Sequence, residues 1–538
     1  MNIKNYLLLA LLVVTSFFVF PSALPSDIME ERNLVTAREM AHDGHWMLPT
    51  MNGEPRLEKP PLPTWVAGIV ELALPGSLSA QRAAAGVVAC IGLLFFFLII
   101  SDLGGARFAY LASIVLLTMY QTVLMGRTAT WDIYCHSFML GAIFFLERGL
   151  RQSARRQWRW MPAAGLMLGL SFLSKGPVSF YAMLLPVALA CIGLSGLSMR
   201  GKWPSLVVML VIMTLVGGWW YAWLFNEHPA EVAAVIHKES GAWSNHNVRP
   251  WWYYWRFFLE TGVWAVLVLT ALAVSYWKRH LHEPRTYLFA VTWLIAALIL
   301  LSLMPEKKMR YLLPLMPPCS LCAACLIRHL DEVRDRVSRT LLNIQSLLTE
   351  LLPVTVASML LIRRPLGTWC SVLLALIFLC VTALAVRAAL GHSACRLVNC
   401  TALTFVLTEC FLLAPVGKLF GNPQAHCIAL SVNSAEVRDM PLYHPADETV
   451  RIELVYAAGR KILPIDLKSA RALMQKEPFV LISRRPATNY MAPQARTMLT
   501  LKPIGTFDDN KHPSSDRHYT ADLQGNVTLV EARNNDKP

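Results

Sequence analysis

Charge is scarce in this chain. Only 16% of its 538 residues are Asp, Glu, Lys or Arg, whereas 55% are hydrophobic, and mean hydropathy is +0.44. That balance excludes a soluble domain with one large core and describes a polytopic membrane protein. Acid is scarcer than base, 35 residues against 49, for a net charge of +14. The excess does not point to nucleic acid, because it sits in short loops between apolar runs, as the positive-inside rule expects. A disulfide framework is lacking too. Of twelve cysteines, the polar tail holds only Cys427, and most others fall within apolar runs, where Cys acts as a small hydrophobe. Cys319, Cys322 and Cys325 have metal-like spacing, but they lie in an apolar span, and helix packing by small residues accounts for them. No internal repeat is visible.

What is present is a series of apolar runs of bilayer-spanning length. About thirteen are expected: 5–22, 81–103, 107–125, 133–149, 160–175, 177–197, 204–225, 257–277, 286–304, 311–328, 346–363, 367–388 and 397–415. Threaded from a cytoplasmic N-terminus, the inward loops all carry arginine, among them Arg151, Arg155, Arg156 and Arg159, and Arg328, Arg334, Arg336 and Arg339. Two outward loops are long, at about 23–80 and 226–256. In the first, residues 32–41 predict an amphipathic surface helix, and 65–74 a short surface or re-entrant one. Beyond Pro415 the composition turns polar. The expected architecture is an all-α membrane domain over 1–418, followed by a small α/β domain over 419–538 on the outer, periplasmic side. In that tail 451–456 and 479–482 read as apolar segments, and 467–475 as a helix capped by Asp466.

The outward loops carry charges that the positive-inside rule does not explain. Asp27, Glu30 and Arg32 follow the first run directly, and a carboxylate there can act as a general base. Glu58 and Lys59 precede two prolines. Arg127 and Asp132 lie at the start of a span, and Lys175 joins two spans with almost no loop between them. His237 and Glu239 lie in the second long loop. Lys307, Lys308, Arg310 and Tyr311 follow Glu306, and three cations on that face need an anionic partner. Acids suggest chemistry and bases suggest phosphate, so the chain reads as an enzyme acting at the outer membrane surface on a lipid-linked phosphate.

Several of these segments resemble a known family. Arg38-Glu39-Met40, Gly44-His45-Trp46 and Glu58-Lys59-Pro60 are similar to the first periplasmic loop of the bacterial aminoarabinose transferases of lipid A. These belong with the protein O-mannosyltransferases in the GT-C class of glycosyltransferases. Asp132, Ser174-Lys175-Gly176 and Lys307 to Tyr311 fall where that family has an acid, a Lys-Gly and a Lys…Tyr motif. The resemblance covers roughly residues 20–320. It implies inverting transfer of a sugar from a polyprenyl-phosphate donor to lipid A, a protein hydroxyl or another envelope glycan, in the bacterial inner membrane. It also implies a first-loop carboxylate as base, with Lys59, Lys307 and Tyr311, joined by Lys175, on the leaving phosphate. Where the family has Asp-Glu-x-Arg-Tyr, this chain has Met29-Glu30-Glu31-Arg32-Asn33, so the base falls to Glu30 or Asp27.

No cofactor is required by the sequence. A divalent metal is conceivable if Glu30, Asp132 and His237 or Glu239 converge, but no local ligand spacing of a zinc site is present. The competing class is a transporter or flippase of lipid-linked sugars. Transporters place ionisable groups near the bilayer midplane, often in repeated halves, whereas here the charges sit at the rim.

Overall fold

The computed structural model describes residues 3–152, 156–192, 200–245, 247–420, 427–469, 473, 478–510, 514 and 516–533, with no side-chain description for 239–245, 416 and 418–420. Arg155, the Glu239 side chain and most of the helix expected over 467–475 therefore lie outside the described residues. The chain divides into two compact units. The first comprises Met1–Ser22, Leu57–Pro63 and Leu78–Pro415, and the second Ala23–Arg56, Thr64–Ser77 and Val416–Pro538. Composition alone places one break, near 418. By contact, most of the first long loop groups with the polar tail instead.

The first unit is helical. The described part of each of the thirteen apolar runs falls on a helix, on consecutive helices or on a bent helix pair. Seven helices among the described residues are long and apolar enough to cross a bilayer, and nine if each bent pair counts as one span. The chain is thus a multi-pass membrane protein. The two bends, each of 75°, separate Ala106–Leu117 from Tyr120–Gly126 and the Trp251–Thr270 segment from Val274–His280. At the first bend the Thr118 hydroxyl donates to Ile114 O (2.7 Å) and accepts from Trp264 Nε1 (2.8 Å), which satisfies backbone that the break leaves open. Small residues set helix spacing elsewhere. A Cβ added at Gly217 would come within 2.9 Å of the Gly169 carbonyl, so helices Met161–Lys175 and Trp203–Glu227 pack almost backbone to backbone. Cys319, Cys322 and Cys325 are buried in helix Met316–Glu332.

The second unit is α/β. Its helix Ile28–Asp43 covers the amphipathic stretch expected at 32–41, and helix Leu62–Ala73 the short one at 65–74. A small hairpin, β1 (Thr50–Met51) with β2 (Glu54–Pro55), is organised by the Glu39 carboxylate. That group accepts from the Thr50 hydroxyl and from the amides of Asn52 and Gly53. The tail forms a five-stranded sheet from β3 (Leu442–Pro445), β4 (Ile462–Ile465), β5 (Phe479–Ser483), β6 (Leu499–Asp508) and β7 (Gln524–Ala532), in the order β4-β3-β5-β7-β6. Strand β5 is buried at every position. Val480 and Ile482 pack into one apolar core with Val35, Ile462 and Val527, while Phe479 and Leu481 pack into another with Leu473 and Ala495. A central strand covered on both faces reads as a continuous apolar run rather than an alternation. One apolar segment differs from its expected form. Residues 451–456 fall on helix Ile452–Ala458, which ends at Gly459 in the left-handed conformation (φ +77°). A short apolar run looks the same in either state.

Candidate active site

Helix dipoles place the first pair of groups. Asp132 lies in the first turn of helix Trp131–Arg151, and Lys175 in the last turn of Met161–Lys175. An acid at a helix N-terminus and a base at a C-terminus are each favoured. The two helices run side by side, with the Ser171 hydroxyl donating to Cys135 O at 2.7 Å. Their ends meet, and the Lys175 ammonium binds the Asp132 carboxylate in a buried ion pair. Gly176 (φ +66°, ψ −145°) then reverses the chain directly after Lys175, in a conformation that L side chains rarely adopt.

The segment between helices Pro284–Leu303 and Met316–Glu332 supplies the rest. Glu306 pairs with Val248 in a backbone bridge, and the Lys307 and Arg249 amides extend it to Asn247 O and Pro305 O. The Tyr254 hydroxyl donates to Lys308 O and accepts from Lys308 N, both at 3.1 Å. So fixed, the segment sets the Tyr311 ring among cations. The Lys175 ammonium lies 5.1 Å from its centroid, the Arg310 guanidinium 5.6 Å and the Lys308 ammonium 5.8 Å. Lys308 also pairs with Glu306 at 2.5 Å, and the Tyr311 hydroxyl donates to Glu306 at 3.4 Å. Three cations therefore stand with two carboxylates, an excess of one positive charge.

Lys307 differs from its expected role. Its ammonium turns inward to the carbonyls of Met304 and Arg249 (the latter at 3.2 Å) and is buried. Burial holds its pKa below the usual lysine value. Arg127 is not gathered into the cluster either. Its guanidinium donates to Thr15 O and Val19 O, the last at 2.9 Å, and faces Glu409 at 3.8 Å. The sequence reading passed over Glu409, Tyr254 and His136. Of these only His136 left a signal, since it lies one helical turn after Asp132 and is buried with it.

Glu58 is ion-paired with Lys238 at 2.7 Å, Lys59 is half-buried in the same segment, and His237 is exposed on helix Pro229–Asn245. In the second unit, Asp27 is the N-cap of helix Ile28–Asp43 and accepts from the amides of Met29 and Glu30, both at 2.8 Å. Glu30 follows in the first turn and is fully buried. Glu31 accepts from Ser26 at 2.7 Å, and Asn33 accepts from Thr64 at 2.8 Å. Arg32 N–H points to the Met29 sulfur at 3.9 Å. No group of three or more metal-ligating side chains occurs among the described residues.

The fold has solved counterparts. It matches the crystal structure of ArnT from Cupriavidus metallidurans bound to undecaprenyl phosphate with a TM-score of 0.70, at 17% identity and over 97% of both chains. The apo structure of that protein matches with a TM-score of 0.68. By fold, then, this is a multi-pass membrane protein of the same architecture as that structure.

Sequence comparison narrows the class. Residues 58–221 match the family model described as dolichyl-phosphate-mannose-protein mannosyltransferase. An undecaprenyl phosphate-alpha-4-amino-4-deoxy-L-arabinose arabinosyl transferase from Shewanella sediminis is 25% identical, over 58% of this chain and 58% of its own length. One from Pectobacterium atrosepticum is 27% identical, over 58% and 56%. The chain thus spans less than two thirds of the length of the relatives it matches.

Proposed function

We propose that the protein is an integral membrane glycosyltransferase that moves a sugar from a polyprenyl-phosphate donor to an envelope acceptor, lipid A or a protein hydroxyl, at the periplasmic face of the inner membrane. The observation that carries this reading is the excess of positive charge around Tyr311. A donor phosphodiester carries one negative charge, and the phosphate monoester it leaves behind approaches two. A site with a surplus cation favours the leaving group more as the bond breaks, which is transition-state stabilisation. Lys175, Lys308 and Arg310 are assigned to that phosphate, with Lys59 as a further contact and Asp132 holding Lys175 in position. Lys307 supports the segment through its carbonyl contacts.

The displacement is a single inverting step. The acceptor oxygen attacks the anomeric carbon, the bond to the phosphate oxygen breaks, and the electron pair leaves with the phosphate. Glu30 takes the acceptor proton, an assignment that rests on the chemistry and family resemblance of its loop. Asp27 is a cap whose carboxylate is already engaged by two amides. No metal is assigned to any step, and turnover is expected to survive chelation with EDTA.

The test is transfer by the purified protein from a polyprenyl-phosphate sugar to lipid A or peptide acceptors, read by mass spectrometry. Glu30→Gln should lower turnover by about 10²–10⁴-fold while donor binding holds. Movement of the lipid between leaflets with no glycosidic bond formed would mean a flippase instead. Orientation is tested by cysteine labelling from the periplasm, where positions 58, 132, 175 and 307 should label and position 334 should not.

A further inference from the structure

The sheet of the second unit contains a feature the transfer reaction does not use. Strand β3 pairs in parallel with β4 on one side and with β5 on the other. After β3 the chain crosses to β4 through helix Ile452–Ala458, then returns past β3 to enter β5. The connection after β3 runs to the β4 side and the one after β5 to the β7 and β6 side, so the carboxyl ends of β3 and β5 form a topological switch point. In open α/β sheets the loops diverge at such a point and leave a crevice suited to a ligand.

A crevice of about 620 Å³ is present there. Its lining includes Asp447 and Glu448 from the loop after β3, and Arg484, Arg485 and Tyr490 from the segment after β5. Asp522 comes from just before β7. Strand β7 runs antiparallel to β5, with Asn526 opposite Ser483, which brings its first residues to the same end. The two arginines are held by their backbone. Glu448 accepts from the Arg484 amide at 3.2 and 3.3 Å and from the Tyr490 hydroxyl, and that hydroxyl accepts from the Arg485 amide at 3.2 Å. Both guanidinium groups are exposed, and neither is paired with a carboxylate among the described residues. Asp447 and Asp522 are exposed beside them.

We infer that this crevice binds a phosphorylated cyclic polyol, such as a sugar phosphate, either free or as a lipid head group. Two neighbouring unpaired guanidinium groups match an oxyanion. Flanking carboxylates accept from ring hydroxyls, and the volume lies within the usual range for small-molecule sites. The site belongs to the α/β unit, and the inference does not depend on which sugar or acceptor the transfer reaction uses.

Calorimetric titration of the full-length protein in detergent micelles with glucose 1-phosphate tests the inference. Saturable binding is expected, weaker for inorganic phosphate and weakest for glucose. Loss of two charge-assisted contacts in R484A/R485A should weaken it by about tenfold or more, whereas R484K/R485K should keep part of it. D447N/D522N should narrow the preference for glucose 1-phosphate over inorganic phosphate. Lys175→Ala should leave this binding unchanged. In a parallel arm, binding to phosphatidylcholine vesicles with and without phosphatidylinositol 4-phosphate identifies a lipid-borne source, with the same arginine dependence. Absence of binding in both arms overturns the inference, as does binding that R484A/R485A leaves intact or that Lys175→Ala abolishes.

Discussion

Two buried ion pairs in the membrane unit invite comparison. Asp132–Lys175 and Arg127–Glu409 are almost equally hidden, with side chains 3–8% exposed. Both join an acid and a base from separate helical segments, and the sequence alone marks both members of the first pair and Arg127 of the second as site residues. Their surroundings differ. Arg127 is closed off by the carbonyls of Thr15 and Val19, and Glu409 by the Ser16 hydroxyl, so that charge balances within the protein and only the Arg127 Nε–H lacks an acceptor among the described residues. Lys175 faces an aromatic ring that two further cations share, and charge there is left over. An ionisable residue in a membrane span commonly marks a functional site. The contrast shows that the useful mark is imbalance, not burial.

Mutations can break this comparison in graded steps. Arg127→Ala leaves Glu409 buried without its cation and should cost on the order of 3–5 kcal/mol in stability. Thermal unfolding in detergent reads it, and a fully stable but inactive Arg127→Ala protein would return Arg127 to the substrate site. Lys175→Ala should lower turnover by about 10²–10³-fold with the unfolding temperature nearly kept; the reverse pattern would make that pair structural too. Asp27→Ala should lose about 1 kcal/mol as a missing helix cap, whereas Asp27→Asn, which still caps, should be close to wild type in stability and turnover. If Asp27→Asn abolishes turnover and Glu30→Gln does not, their roles are exchanged. The smallest change is expected from Lys238→Ala. Its ion pair with Glu58 is at the surface, with Lys238 70% exposed, so less than about 1 kcal/mol is at stake.

The apolar runs made the helices legible, because a bilayer requires long uninterrupted hydrophobic stretches. The Asp132, Lys175 and Tyr311 grouping was legible as well, since each charge stood at the end of a run. Contacts made to backbone were not. Nothing local tells that Lys307 turns back to Met304 O while Lys308, its neighbour, pairs with Glu306. Nor does a sequence show that Arg127 finds carbonyls in the first helix, or that one Asp27 oxygen accepts from two amides. The helix over 452–458 was missed because seven apolar and polar residues fit either period.

The contacts of Arg127 also bear on how the chain is made. Helix Ile3–Phe18 is synthesised before the residues that close it, because its C-terminal carbonyls are met by an arginine 108 and 112 positions later in the chain. Its Ser16 hydroxyl waits for a glutamate 393 positions on. Until those residues are synthesised and inserted, the end of the first helix carries unsatisfied polar groups, which hydrocarbon penalises. Nascent chains stopped before Glu409 should therefore hold an open first helix and be preferred substrates for membrane quality-control proteases.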